Sequence, residues 1–166
     1  MPKRIISKRR KSRIEDGSRD IYGTIIVLAL IVSFENYEIS PIKMLISIFG
    51  TLLVIAIAET YVIAQKESYY KKRRLTYEEF KYIVKHEFQI MLASEIPVIV
   101  FIIQHFGLIS IDTAFTLAKA LGLLSIFSFS IVIERAMKKP WAQTILYSLI
   151  STGIGFLIIG LKILTK

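Results

Sequence analysis

The residues of this 166-residue sequence best suited to chemistry are acidic side chains set within or beside apolar runs. Glu59 lies in IAIAETYVIA, followed by Thr60 and Tyr61, and shares a helical face with Ser47 and Thr51. Glu87, Met91 and Glu95 are spaced i, i+4, i+8, so a helix would place two hard carboxylates and one soft thioether on one stripe, with Ser94 beside them and Pro97 just beyond. Asp20 and Thr24 share a face in a polar collar of Arg19, Asp20, Tyr22, Gly23 and Thr24. A charged side chain at the centre of a bilayer costs about 3 kcal/mol on insertion scales, which makes each such carboxylate a candidate functional residue. Oxygen ligands of this kind suit divalent cations such as Mn²⁺, Fe²⁺ or Ca²⁺.

Structural roles stand beside each of these. Glu87 and Asp20 lie near an expected membrane boundary, where solvation or pairing with Arg19 or His86 serves them equally well. Glu59 and Glu95 have Lys119 or a backbone donor as alternative partners, although Lys119 is expected to extend outward along its own helix. Met91 suits packing. His86 and His105 are far apart in expected depth and form no ligand pair.

The elements that must position these groups are membrane helices. The chain is 54% hydrophobic with a mean hydropathy of +0.56, above ordinary soluble usage, and its charges fall in blocks between apolar runs. Five segments approach the ~20 residues a bilayer crossing requires: Ile21 to Asn36, Pro41 to Gln65, Phe88 to Gln104, Asp112 to Glu134 and Trp141 to Leu161. Pro41 suits a helix start. Thr76 and Glu79 have capping-box spacing, so the third helix is expected to begin well before its apolar part. Residues 1–20 read as a basic segment and 66–86 as an amphipathic insertion. The core of the first span ends in SFENYEIS, without the small residues of a cleavage site, and is expected to be retained.

Charge decides the expected topology. Eight Lys or Arg residues precede Ile21, seven lie between Lys66 and Lys85, and three between Arg135 and Lys139, against only Lys43, Lys162 and Lys166 on the other side. The expected fold is therefore all-α and polytopic, with five transmembrane helices in a cell membrane, the amino terminus cytoplasmic and the carboxyl terminus outside. The net charge of +9 is accounted for by these flanking blocks, which suit anionic lipid headgroups, and nucleic acid is not an expected partner. The absence of cysteine excludes disulfides and thiolate metal sites. No nucleophile elbow, phosphate loop or HExxH motif supports an enzyme, and no cofactor is implied beyond a divalent metal ion as substrate. Thr144, Ser148, Thr152 and Gly155 recur on one face of the last helix and read as close helix packing. Five helices enclose little volume, so a homo-oligomer, most simply a dimer, is expected to build any pathway.

The order of features resembles the vacuolar iron transporter family over about Arg19 to Leu164. The stretches concerned are RDIYGTIIVLAL at the first helix, IAIAETYVIAQKES at the end of the second, SEIPVIVFI in the third and the basic turn before the last. That resemblance implies five helices, an amphipathic cytoplasmic insertion between the second and third, and a dimeric pathway. The sequence departs from the family where iron is bound. Tyr22-Gly23 stands in place of Asp-Gly, Ala56 in place of a methionine, and the glutamate-rich insertion is shortened to KESYYKKRRLTYEEFKYIVKHE. Transport would then require Asp20, Glu59, Tyr61 and Glu95 to replace the missing ligands. The expected function is a small transporter of a divalent cation. The alternative is a non-transporting membrane subunit that binds anionic lipid or a partner protein.

Overall fold

The computed structural model describes the backbone of residues 2–35 and 40–164, with side chains from residue 14 onward other than 15, 92–95, 97, 162 and 163. The described residues are helical and contain no strand. In chain order the helices are α1 (Pro2–Phe34), α2 (Pro41–Lys71), α3 (Tyr77–Glu87), a 3₁₀ segment (Phe88–Ser94), α4 (Glu95–His105), α5 (Ile111–Ala136) and α6 (Trp141–Leu164). Four of them contain stretches long and apolar enough to cross a membrane: Asp16–Phe34, Pro41–Lys71, Ile111–Ala136 and Trp141–Leu161. The protein is membrane-embedded and all-helical.

Local chemistry sets most helix ends. Ser40 caps α2 through the Lys43 N–H, with Pro41 at the first helical position, and Lys72 closes α2 in the left-handed conformation (φ 50°). At α3 the capping box is complete: the Thr76 hydroxyl accepts the Glu79 N–H, and Glu79 Oε2 accepts the Thr76 N–H at 2.9 Å. Ser110 caps α5 through the Thr113 N–H. The basic segment of residues 1–20 is helical from Pro2 and runs directly into the apolar stretch within α1.

The third expected span differs most. Its apolar part, Phe88 to Gln104, is one 3₁₀ segment of 7 residues followed by a helix of 11, rather than a continuous α-helix. Pro97 supplies the reason. It has no N–H for the carbonyl of Ala93, and its ring clashes there, so an α-helix running through this point would lose about 3 kcal/mol or more. The chain tightens into 3₁₀ geometry and restarts as an α-helix at Glu95.

α1 occupies the centre of the bundle. It packs on α5 along its length and also touches α2, α6 and the 3₁₀ segment. Its apolar window is 39% buried, against 22%, 28% and 22% for those of α2, α5 and α6. The outer helices turn most of their apolar surface outward, as lipid allows, and Ile46, Val54, Leu149 and Leu157 are among the exposed residues. The core joins Val27 and Ile31 of α1, Met44, Ile48, Leu52 and Ala56 of α2, Ile90, Val100, Phe101, and Ala114, Phe115 and Ala118 of α5. Phe101 and Phe115 meet edge to face at 5.4 Å.

Thr144 and Ser148 are fully buried on α6, with Thr152 and Gly155 continuing the same face. The expected role in close packing is visible at Gly155, where a Cβ would lie 2.6 Å from Leu123 Cδ2, 3.2 Å from Ile126 Cδ1 and 3.4 Å from Leu28 Cδ2. Gly153 has open space. In detergent, Gly155→Ala is expected to lower the thermal unfolding midpoint, overpacking costing about 1–3 kcal/mol. Gly153→Ala is expected to hold or raise it through helix propensity. Equal midpoints in the two variants contradict the close approach.

Candidate functional site

The site is built where α1 crosses the end of α3. Arg19, one turn inside the Asp16–Phe34 stretch, projects toward the last two residues of α3. Its Nη2 donates to Glu87 Oε1 at 2.5 Å, and its Nη1 donates to the His86 carbonyl at 3.1 Å and to His86 Nδ1 at 2.5 Å. A guanidinium carries only donors, so His86 Nδ1 is the accepting, unprotonated ring nitrogen. Asp16, one turn before Arg19 on the same helix, places Oδ1 3.8 Å from that nitrogen. Tyr82 packs on the His86 ring with centroids 4.8 Å apart.

Glu87 is the most enclosed acidic side chain described, only 1% exposed. Arg19 engages Oε1, while Oε2 is buried without a hydrogen-bond partner. Glu59 of α2 lies close enough to act on the Glu87 carboxyl electrostatically. Burial pushes the Glu87 carboxyl above the usual carboxylate range and Glu59 adds to the rise, while Arg19 opposes it. Next to Glu59, the Thr60 hydroxyl is likewise buried without a partner. The arrangement is thus a buried carboxyl group, Glu87, with a part-buried carboxyl, Glu59, and a part-buried guanidinium, Arg19, beside it. With both carboxyls ionised it is one positive charge short, and a shared proton or a bound cation removes the deficit.

A cleft of about 520 Å³ adjoins the group, bordered by Arg19, Tyr82, His86 and Glu87 and by Ile63, Glu67, Glu78 and Glu79. At its outer edge Arg73, the Thr76 backbone N–H and Lys71 hold the Glu79 carboxyl well below the usual carboxylate range. That cluster fixes the α2–α3 turn.

Of the residues singled out from the sequence, the structure brings Glu59 and Glu87 together and leaves others apart. Asp20 is half-buried on α1; its backbone carbonyl accepts the Thr24 hydroxyl at 2.6 Å, and no hydrogen bond or ion pair joins its carboxylate to Glu59 or Glu87. Tyr61 is 65% exposed on the outward side of α2, where its hydroxyl accepts from Gln65 at 2.7 Å. Two helical residues from Glu59 place it on nearly the opposite face. Met91 lies in the 3₁₀ segment and packs against the core. The i, i+4, i+8 stripe of Glu87, Met91 and Glu95 presupposes one α-helix, and the 3₁₀ segment breaks that register. The Glu95 side chain lies outside the described residues. Lys119 pairs with neither Glu59 nor any inner carboxylate but with Glu35, at 2.5 Å, at the far end of α1. Among the described residues no group of three or more Asp, Glu or His side chains is arranged to hold a metal ion.

Sequence reasoning offered Arg19 and His86 as partners for Glu87 but did not reach Asp16 or the nearness of Glu59 to Glu87. Asp16 carried a signal, since it lies one helical turn from Arg19.

Removing Arg19 leaves a buried carboxylate without a counter-charge. Arg19→Ala is expected to destabilise the protein in detergent by about 3–5 kcal/mol at neutral pH, and Arg19→Ala with Glu87→Gln by much less. Because Glu87 binds its proton more tightly folded than unfolded, its contribution is present below the ordinary glutamate range and fades as pH rises through its raised value. Glu87→Gln should therefore flatten the pH dependence of unfolding above that range, and an unaltered profile would show that Glu87 does not contribute to it. Comparison with family models, with curated proteins and with solved structures finds no match, so the reading of this site rests on its own geometry.

Proposed function

We propose that this chain is a small membrane transporter that takes up a divalent cation at the Glu59–Glu87 carboxyl pair in exchange for a proton. The observation that carries the reading is the imbalance of the site: a buried glutamate with one oxygen unpartnered, the carboxyl of Glu59 near it, and a single guanidinium as counter-charge. Neighbouring carboxyl groups out of water resist ionising together unless a cation joins them. An incoming divalent ion would displace the shared proton, which couples binding to proton release. The oxygen donors favour a hard or borderline ion of the Mn²⁺ or Fe²⁺ type.

In this reading the chain crosses the membrane five times. Seven 3₁₀ residues at about 2.0 Å each and eleven α-helical residues at about 1.5 Å each reach about 30 Å, the thickness of the hydrocarbon core. The third crossing is then a broken helix, of the kind whose freed backbone groups line ion paths in transporters. Its start, next to Glu87, faces the cytoplasm with the three basic blocks, and α6 ends outside. This is the architecture that the resemblance to vacuolar iron transporters implies, with Glu59 and Glu87 taking the place of that family's ligands, and a homodimer as the assembled form. A second reading, a non-transporting subunit that binds anionic lipid or a partner protein, is favoured by the exposure of Tyr69, Tyr70 and Tyr77 around Lys72 and Arg74 at the α2–α3 turn.

Flux of Mn²⁺ into proteoliposomes distinguishes the two. Wild-type protein is expected to carry it, Glu59→Gln and Glu87→Gln to lose at least tenfold, and Tyr61→Phe to retain it. Full flux in both glutamine variants removes the pair from the mechanism, and no flux in the wild type together with a stoichiometric co-purifying partner supports the second reading. Because the chain has no cysteine, single replacements at Glu78, Leu108 and Lys138 test the topology cleanly. An impermeant thiol reagent should reach the first and third from the cytoplasmic side and the second from the other. Labelling of the Glu78 and Leu108 positions from one side and of the Lys138 position from the other rules out the broken third crossing.

A further inference from the structure

We propose that Arg19 is a tethered counter-ion that fills the cation site of the resting protein and swings into the adjoining cleft when a cation loads. The inference rests on the reading of Glu59 and Glu87 as that site. It concerns how the site is kept closed to ions until one binds.

Three observations support it. First, the guanidinium is held by groups at the end of α3: Glu87 Oε1, the His86 carbonyl and His86 Nδ1. Its engagement of one carboxylate oxygen leaves the other, Oε2, buried and unpartnered, so the carboxyl is only half neutralised. An ion arriving at Oε2 meets a fixed positive charge on the same carboxylate, and the two cations repel across a site with little water to screen them. Second, the guanidinium has somewhere to go. Arg19 and Glu87 both border the cleft of about 520 Å³, and the Arg19 side chain is 23% exposed while that of Glu87 is 1% exposed. Arg19 is thus the more open of the two groups at the cleft. Among the described residues, Glu78 on the cleft wall is in no ion pair and is available to receive it.

Third, the backbone of α1 is held where it is, which assigns the movement to the long Arg19 side chain. A Cβ on Gly17, two residues before Arg19, would lie 2.8 Å from Ile133 Cγ1, so the helix already touches α5 there. At the other end, Glu35 is paired with Lys119. A flexible side chain with several rotatable bonds can exchange partners while both of these contacts persist.

The test is Mn²⁺ binding by the full-length chain in detergent, measured by equilibrium dialysis with Mn²⁺ alone. Arg19→Gln removes the competing charge and is expected to bind at least tenfold more tightly than wild type, whereas Arg19→Lys, which keeps the charge, stays within about threefold of it. Equal or weaker binding by Arg19→Gln overturns the proposal and leaves the carboxyl site standing. No binding by either protein overturns both. Should Arg19→Gln fail to fold, wild-type protein answers the question through modification by phenylglyoxal, read at Arg19 by peptide mapping. Mn²⁺ is expected to speed that reaction at least threefold by moving the guanidinium into the cleft, and an unchanged or slower reaction overturns the proposal.

Discussion

An arginine on the central helix and a glutamate at the end of an amphipathic helix, 2.5 Å apart, tie the membrane bundle to the α2–α3 corner beside it. Glu87 is shielded from water, and a buried charge is tolerated only with a partner. α3 packs on α2 and the 3₁₀ segment, and the Arg19–Glu87 pair joins its end to α1. His86 in turn must offer an unprotonated nitrogen to a group that only donates. Glu59 lies near enough to raise the Glu87 carboxyl further, so one guanidinium is matched with two carboxyl groups. The chemical interest of the site comes from that unequal count.

Around this point the bundle obeys the physics of lipid. Apolar residues face outward on the outer helices, and the side chains that must be matched are gathered on α1 or on the faces turned to it. Small residues are placed where backbones approach, as at Gly17 against Ile133 and Gly155 against Leu123. α1 carries an ion pair near its middle, Arg19 with Glu87, and another just past its end, Glu35 with Lys119. Those pairs and the contacts with α5 leave the side chains, rather than the helix, as the parts free to rearrange.

Some features were legible one segment at a time. The capping box at Thr76 and Glu79, the helix start at Pro41 and the small face of α6 are local, because a cap needs residues three apart and a packing face needs a helical repeat. The regular stripe of Glu87, Met91 and Glu95 was a different matter. It assumed an α-helix through a stretch that Pro97 tightens into 3₁₀ geometry, and a change of period redistributes side chains around the axis. Lys119 shows a second limit. Its depth along α5 was readable, but its partner is 84 residues earlier, and no pattern within α5 points to it.

By itself the sequence determined the helical membrane-embedded class, the apolar stretches and several helix ends. Each of these depends on composition and on interactions within a few residues, which the order of amino acids specifies directly. Only the tertiary structure decided that α1 lies at the centre and that Arg19 of that helix pairs with Glu87 at the end of α3. Those outcomes depend on which helix faces are turned toward one another. Lipid, being as apolar as the helix surfaces, leaves that choice to close packing and to the pairing of the few buried charges.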